Sequence, residues 1–126
     1  MRSLATQSDF FSFLRALPKV PFDVYPGPDE SYTYHSRHRL FETLRQLAPF
    51  IQRYQDPIEV LDIGSFPGPF LRILPALWPD REFKFYATGL ASNEDFVTYL
   101  QQRNIPFFPI NLDPELTDSR GDRKST

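Results

Sequence analysis

The sequence contains no cysteine and only two histidines, and these absences exclude several classes of protein. Without cysteine there can be no disulfide framework of the kind that supports small secreted domains. The two histidines, His35 and His38, are too few for a zinc or iron site unless carboxylates supply the other ligands. We therefore predict no metal site.

Long apolar runs are also missing. No stretch approaches the roughly 20 apolar residues that span a bilayer, and Gln7 and Asp9 interrupt the apolar residues near the N-terminus, unlike a secretory signal. The 14 basic and 16 acidic residues nearly balance, so charge gives no clear signal of nucleic-acid binding. This composition predicts a cytoplasmic protein with no membrane partner.

The most informative pattern is an apolar strand that leads through an acid into a glycine-containing turn and then a helix, at residues 59–71, EVLDIGSFPGPFL. The apolar residues within 60–63 favour a strand buried on both faces. Gly64 and Gly68 permit backbone angles and a close ligand approach that a side chain would prevent. Pro69 suits the first position of a helix, whose free N–H groups would then point back toward the turn.

This turn resembles motif I of the class I S-adenosylmethionine-dependent methyltransferases, an apolar pair, an acid, an apolar residue and then Gly-x-Gly-x-Gly. The resemblance implies S-adenosylmethionine as the cofactor, with contacts from Asp62, Gly64, Ser65, Phe66, Pro67 and Gly68. Phe66 replaces the middle glycine, and we predict that its ring lines the pocket wall rather than the core. The alternatives are an ordinary strand-to-helix turn and a nicotinamide-dependent Rossmann domain.

The resemblance also implies contacts at the ends of the next two strands. The acid that the family uses to bind the ribose falls at Ala91, so the hydroxyl of the neighbouring Ser92 could replace only part of that recognition. Ser92 is alternatively a helix cap. Asp113 stands where the family places an acid near the adenine amino group, and is alternatively a turn residue before Pro114.

The order of elements after the turn predicts the fold class. Residues 82–90 and 105–110 favour two further strands, with a helix between them that carries Phe96 and Leu100 on its buried face. Alternating strands and helices imply a parallel sheet. The fold predicted with the resemblance is α/β, a Rossmann-like three-layer partial sheet in the order 3-2-1, in which Pro109 lies on the edge strand.

The N-terminal third is predicted to be a mainly helical cap. Residues 8–17 show one apolar stripe of helical spacing, and a second helix is expected to begin near Ser36 and to be kinked or divided at Pro49. Pro75 should likewise end or bend the helix after the glycine turn. Between the first two helices, residues 18–28 are rich in proline and predict a linker or an extended arm.

Residues 32–39 combine tyrosines, histidines and arginines at the start of the second helix. Because several methyltransferases cover the cofactor with an N-terminal segment, the resemblance implies that Tyr34 or Arg37 could reach the methionine carboxylate. The alternative, which we favour, is a solvated helix start with stacked aromatic rings.

The predicted organisation is a helical cap with its proline-rich linker at 1–55, an S-adenosylmethionine-binding half domain at 56–114, and a disordered tail at 115–126. The chain is expected to be the N-terminal, cofactor-binding portion of a truncated methyltransferase with unknown methyl acceptor and unknown catalytic residues. A non-catalytic binding or assembly module, or a truncated inactive homologue, is the alternative. Because no fourth strand follows, we also expect self-association through the exposed edge of the first strand.

Overall fold

The computed structural model describes residues 2–29, 31–90 and 93–110. Across them, a short 3₁₀ helix at Arg2–Leu4 is followed by five α-helices and three β-strands. In chain order these are α1 (Gln7–Ala16), α2 (Tyr32–His35), α3 (Arg37–Arg53), β1 (Ile58–Ile63), α4 (Pro69–Leu77), β2 (Phe83–Gly89), α5 (Glu94–Gln102) and β3 (Phe107–Pro109). The chain is an α/β protein, as predicted. None of these helices has both the length and the apolar character that a bilayer crossing requires.

The three strands form one parallel sheet with β2 between β1 and β3. Ile58 lies beside Phe83 at one end of the β1–β2 pair, and Gly89 lies beside Pro109 in the β2–β3 pair. The predicted parallel sheet is therefore confirmed, although β3 is shorter than expected. Pro109 has no N–H to donate, and it lies in a strand that pairs on one side only within the described residues.

The helices that pack on the sheet all lie against the same face. One buried cluster joins α1, α3 and α4 to β1, and consists of Leu4, Phe10, Leu14, Leu40, Phe41, Leu44, Ile51, Ile58, Ile73, Leu74, Leu77 and Trp78. A second joins α4 and α5 to β2, and consists of Phe22, Leu71, Ala87, Phe96 and Leu100. The partly buried Phe85 packs against both clusters, so they share one side of β2.

The opposite face of the sheet is open at its apolar residues. Leu61, Ile63 and Phe108 are 59%, 64% and 52% exposed, and no described element covers them. The prediction that β1 is buried on both faces is therefore wrong, and the described residues form two layers instead of the expected three. The physical reason is that α4 and α5 connect strands that advance in the same direction across the sheet, which places both helices on the same side.

The two prolines inside helices do not divide them. Pro49 lies within α3, which continues to Arg53, and Pro75 lies within α4, which continues to Leu77. The alternatives that α3 is divided at Pro49 and that α4 stops near Leu74 are therefore wrong, whereas a kink in α3 and a bend in α4 stay predictions. A proline removes one helical hydrogen bond, but only the last turn of each helix depends on it. The buried side chains of Ile51 and Leu77 hold those last turns against the core.

Residues 18–28, which we call the strap, contain no helix or strand, and most of them are exposed. Phe22 and Asp23 are 6% and 7% exposed, and the ring of Phe22 lies 5.2 Å from that of Phe96 in α5. The strap is thus anchored to the body at Phe22 and Asp23. The predicted tail at 115–126 lies outside the described residues.

Candidate cofactor site

The turn after β1 is fixed to the end of β2. Ser65 is 2% exposed, and its backbone N–H and its Oγ both donate to the carbonyl oxygen of Thr88, at 3.0 and 3.3 Å. The N–H of Gly68 donates to the carbonyl oxygen of Ser65, which closes the turn. The loop therefore has a defined shape at the carboxyl edge of the sheet, where ligands of parallel α/β folds bind.

The two glycines of the turn have different surroundings. Gly64 is exposed, has φ +66°, and no atom lies within 4 Å of the position that a Cβ would take. Gly68 is buried with φ +76°, and a Cβ there would lie 2.9 Å from Cε1 of Phe96. Gly64 thus offers open backbone to a ligand, whereas Gly68 permits α4 and α5 to pack closely.

Asp62 stands at the carboxyl end of β1, directly before the turn. Its Oδ2 is buried and has no hydrogen-bond partner among the described residues. Burial raises the pKa of this carboxyl from 3.8 to about 6, because removal from water disfavours the charged form. The hydroxyl of Thr88, on the neighbouring strand, is likewise buried without a partner. The end of the sheet therefore has two oxygens that lack a donor or acceptor.

Phe66 lies at the outer side of the turn. Its side chain is 47% exposed, and its ring meets that of Phe96 edge-on at 5.3 Å and that of Phe22 at 6.3 Å. The ring therefore packs on the rim of the second buried cluster with one side open to solvent. That this ring lines the wall of a cofactor pocket stays a prediction.

Six of the nine predicted cofactor contacts, Asp62 and the turn residues 64–68, lie in the described part of the chain. Gly64 and Phe66 are exposed, and Ser65, Pro67 and Gly68 are buried. The other three, Ala91, Ser92 and Asp113, lie outside the described residues. The N-cap of α5 is Asn93, whose Oδ1 accepts the N–H of Phe96 at 2.9 Å. The alternative role of Ser92 as that cap is therefore corrected.

Tyr34 and Arg37 are engaged away from the turn. The guanidinium groups of Arg15 and Arg37 each lie 4.5 Å from the centre of the Tyr34 ring, and Arg37 also donates to Asp29 at 3.4 Å. His35 stacks on Tyr25 at 3.8 Å. These contacts are those of a helix start with stacked aromatic rings.

Two cavities lie elsewhere on the helical side. One of about 670 Å³ is lined by α4, β2, α5 and the start of the strap, and one of about 710 Å³ lies between α1, the strap and α2. Tyr34, Arg37 and Arg72 line the second. None of the six turn residues lines either cavity. Within the described part of the chain, no group of three or more histidine, aspartate or glutamate side chains could hold a metal ion.

Sequence reasoning missed a buried polar cluster beside the second cavity. Asp23 accepts the N–H of Thr33 at 3.1 Å and pairs with Arg72, which also donates to the hydroxyl of Thr33 at 2.9 Å. The signal that could have revealed it is Arg72 itself, because a lone charge in the apolar helix PFLRILPAL needs a partner when that helix is buried.

Comparison with known proteins gave no match for this chain, whether with protein-family models, with curated proteins or with solved structures.

Proposed function

We propose that this chain binds S-adenosylmethionine at the carboxyl end of β1, as the cofactor-binding part of a cytoplasmic class I methyltransferase. The observation that carries the proposal is Gly64. It combines a positive φ, solvent exposure and empty space at the Cβ position with a place between a parallel strand and the start of α4. Such a turn exposes backbone to a ligand at the edge of the sheet where cofactors bind in α/β folds.

Asp62 supports the choice of cofactor. Its buried Oδ2 has no partner among the described residues, and an ionised carboxylate without a donor is costly. The methionine end of S-adenosylmethionine carries an ammonium group, which would supply both the missing donor and an opposite charge. A nicotinamide dinucleotide would instead bring phosphates toward this carboxylate, and like charges repel. The unpartnered acid therefore favours an amino-acid cofactor.

The arrangement of the strands also supports a Rossmann-like identity. In the sheet order 3-2-1 of the family, the second strand lies in the middle and the third at an edge. The placement of β2 between β1 and β3, with Pro109 in β3, is compatible with that order. The chemistry would be in-line attack by a nucleophile of the acceptor on the methyl group, with the protein supplying orientation. The acceptor stays open.

Calorimetry with S-adenosylhomocysteine and with NAD tests the proposal. We expect the adenosyl ligand to bind and NAD not to bind. Gly64→Ala should weaken binding by at least about tenfold, or about 1.4 kcal/mol, because a methyl group enters the ligand space. Gly27→Ala is the matched control, since Gly27 also has a positive φ, +119°, and nothing within 4 Å of its Cβ position, but belongs to the strap.

A second pair of variants tests the acid. Asp62→Asn should weaken binding of S-adenosylhomocysteine, whereas Glu59→Gln, which removes the same charge from an exposed position on the same strand, should not. Binding of NAD, or no binding of the adenosyl ligand at millimolar concentration, would contradict the proposal. Equal effects of Gly64→Ala and Gly27→Ala would place the site away from the turn.

A further inference from the structure

The outer edge of β1 carries unpaired backbone groups. Ile58 donates its N–H to Glu82 next to β2, at 2.8 Å. Successive residues of a strand direct their N–H and C=O groups to opposite sides, so those of Glu59, Leu61 and Ile63 point away from β2. No described residue bonds to this side of β1. The edge therefore offers three N–H and three C=O groups to another strand.

This edge has few of the features that protect edge strands. Ile58–Ile63 contains no proline and no lysine, which are the residues that commonly block pairing. Leu61 and Ile63 are also more than half exposed beside it. Charged Glu59 and Asp62 are the only polar side chains in the strand. The edge can therefore pair with another strand in a register that places no acidic side chain opposite Glu59 or Asp62.

Two segments of this chain are poor candidates for that partner. The strap is held on the helical side by Phe22 and Asp23, which contact α5 and α4. Residues 111–126 have only two apolar residues, Leu112 and Leu116, and no alternating pattern. β1 itself is a strand of this sequence that has unpaired backbone groups and contains no proline or lysine.

We propose that β1 pairs in antiparallel orientation with β1 of a second copy, about a two-fold axis at Leu61. In this register, Leu61 faces Leu61 of the second copy, and Glu59 faces its Ile63. The backbones of the three outward-facing residues of one copy then lie opposite those of the second copy. Each of the three opposed pairs exchanges two hydrogen bonds, six in total. The two three-stranded sheets become one sheet of six strands.

Neighbouring registers would leave some of the outward-facing backbone groups of β1 without a hydrogen-bond partner. An axis at Val60 would place Ile63 opposite Pro57, which has no N–H to give. An axis at Asp62 would place Glu59 opposite Ser65, whose N–H already donates to Thr88. The register at Leu61 also keeps acids apart, because Asp62 faces Val60. Self-complementarity of this kind is what an isologous two-fold interface needs.

The absence of cysteine makes a cross-linking experiment clean. At the axis, the Cα atoms of a hydrogen-bonded pair lie about 5.5 Å apart, within the range for a disulfide. Leu61→Cys should therefore oxidise to a disulfide-linked dimer. Ile63→Cys is the matched control, because Ile63 is on the same face and similarly exposed. In the proposed register, however, it lies four residues, or about 14 Å along the strand, from Ile63 of the second copy. Equal cross-linking of both variants, or of neither, would overturn the register.

Light scattering of the unmodified chain at about 100 µM, about a hundredfold above a micromolar dissociation constant, should give the mass of a dimer. Leu61→Pro removes an outward N–H that does not bond to β2, and should give a monomer with an unchanged far-ultraviolet spectrum. Phe108→Ser alters the open face away from the edge and should stay dimeric. A dimer lost in Phe108→Ser would instead indicate stacked open faces, and a monomeric unmodified chain would overturn the proposal. If Leu61→Pro does not fold, the cysteine pair decides. None of these measurements involves a cofactor.

Discussion

The carboxylate of Asp23 and the guanidinium of Arg72 form an ion pair that fastens the strap to α4, with only 4% and 10% of the two side chains exposed. The pair joins residues 49 positions apart in the sequence. Thr33 bonds to both partners, so most of the polar atoms in the cluster are satisfied. Removal of one partner from so deeply buried a pair strongly destabilises a fold, because the remaining charge is left without its partner and without water.

Removal of the acid should therefore strongly destabilise the fold. We expect Asp23→Ala to lower the free energy of unfolding by about 3–5 kcal/mol, the range for an orphaned buried charge. Asp29 is the control, because its side chain is a quarter exposed and contacts His35 and Arg37. Asp29→Ala should lower the free energy of unfolding by at most about 1 kcal/mol. Urea unfolding measures both. Losses of equal size would show that the strap is not held by this pair.

The raised pKa of Asp62 predicts a pH dependence of stability. Between 3.8, the value in the unfolded chain, and about 6, the folded protein binds more protons at this site than the unfolded chain does. The contribution of Asp62 therefore lowers the free energy of unfolding as pH rises through this window. Asp62→Asn should remove that part of the slope, whereas Glu59→Gln should retain it. Urea unfolding at a series of pH values gives the comparison, and identical slopes in all three proteins would contradict the assignment.

Gly68 should matter for packing more than for ligand approach. Gly68→Ala adds a methyl group 2.9 Å from Phe96 at a buried position with positive φ, whereas Gly64→Ala adds one in open space at a similar φ. Both variants should pay about 1–2 kcal/mol for the backbone, and Gly68→Ala should lose more because of the contact. In a double-mutant cycle followed by thermal unfolding, Gly68→Ala should cost less in a Phe96→Leu background than in the unmodified chain, so that part of the difference is recovered. No recovery would locate the cost elsewhere.

The two phenylalanines that meet at the turn should differ in their effect on stability. Phe96 is 1% exposed, so Phe96→Ala should cost about 3–5 kcal/mol, as for a truncated core ring. Phe66 is half exposed, and Phe66→Ala should cost clearly less than about 3 kcal/mol. Chemical denaturation separates them. A loss at Phe66 as large as that at Phe96 would place the Phe66 ring in the core.

Local patterns in the sequence were sufficient to predict the three strands and the longer helices, but not the short helices at Arg2–Leu4 and Tyr32–His35 or the surroundings of each element. Periodicity indicated α1, α3 and α5, and the strand, glycine turn and helix at residues 59–71 form as predicted. The open face of β1 was missed because an apolar residue such as Leu61 has the same local sequence whether or not a second layer covers it. The polar anchor of the strap was missed because Asp23 and Arg72 are distant in the sequence, and neither has a local signal that identifies the other.

The positions of α4 and α5 determine on which side any additional layer must lie. Crossover connections between parallel strands are almost always right-handed, and in this sheet the two crossovers advance from β1 toward β3 with their helices on one side. A crossover that returned from β3 to add a parallel strand beyond β1 would advance in the reverse direction. With the same handedness, its helix would pass over Leu61, Ile63 and Phe108. The handedness of crossovers therefore places on the open face the helix of any connection that returns from β3 to a parallel strand beyond β1.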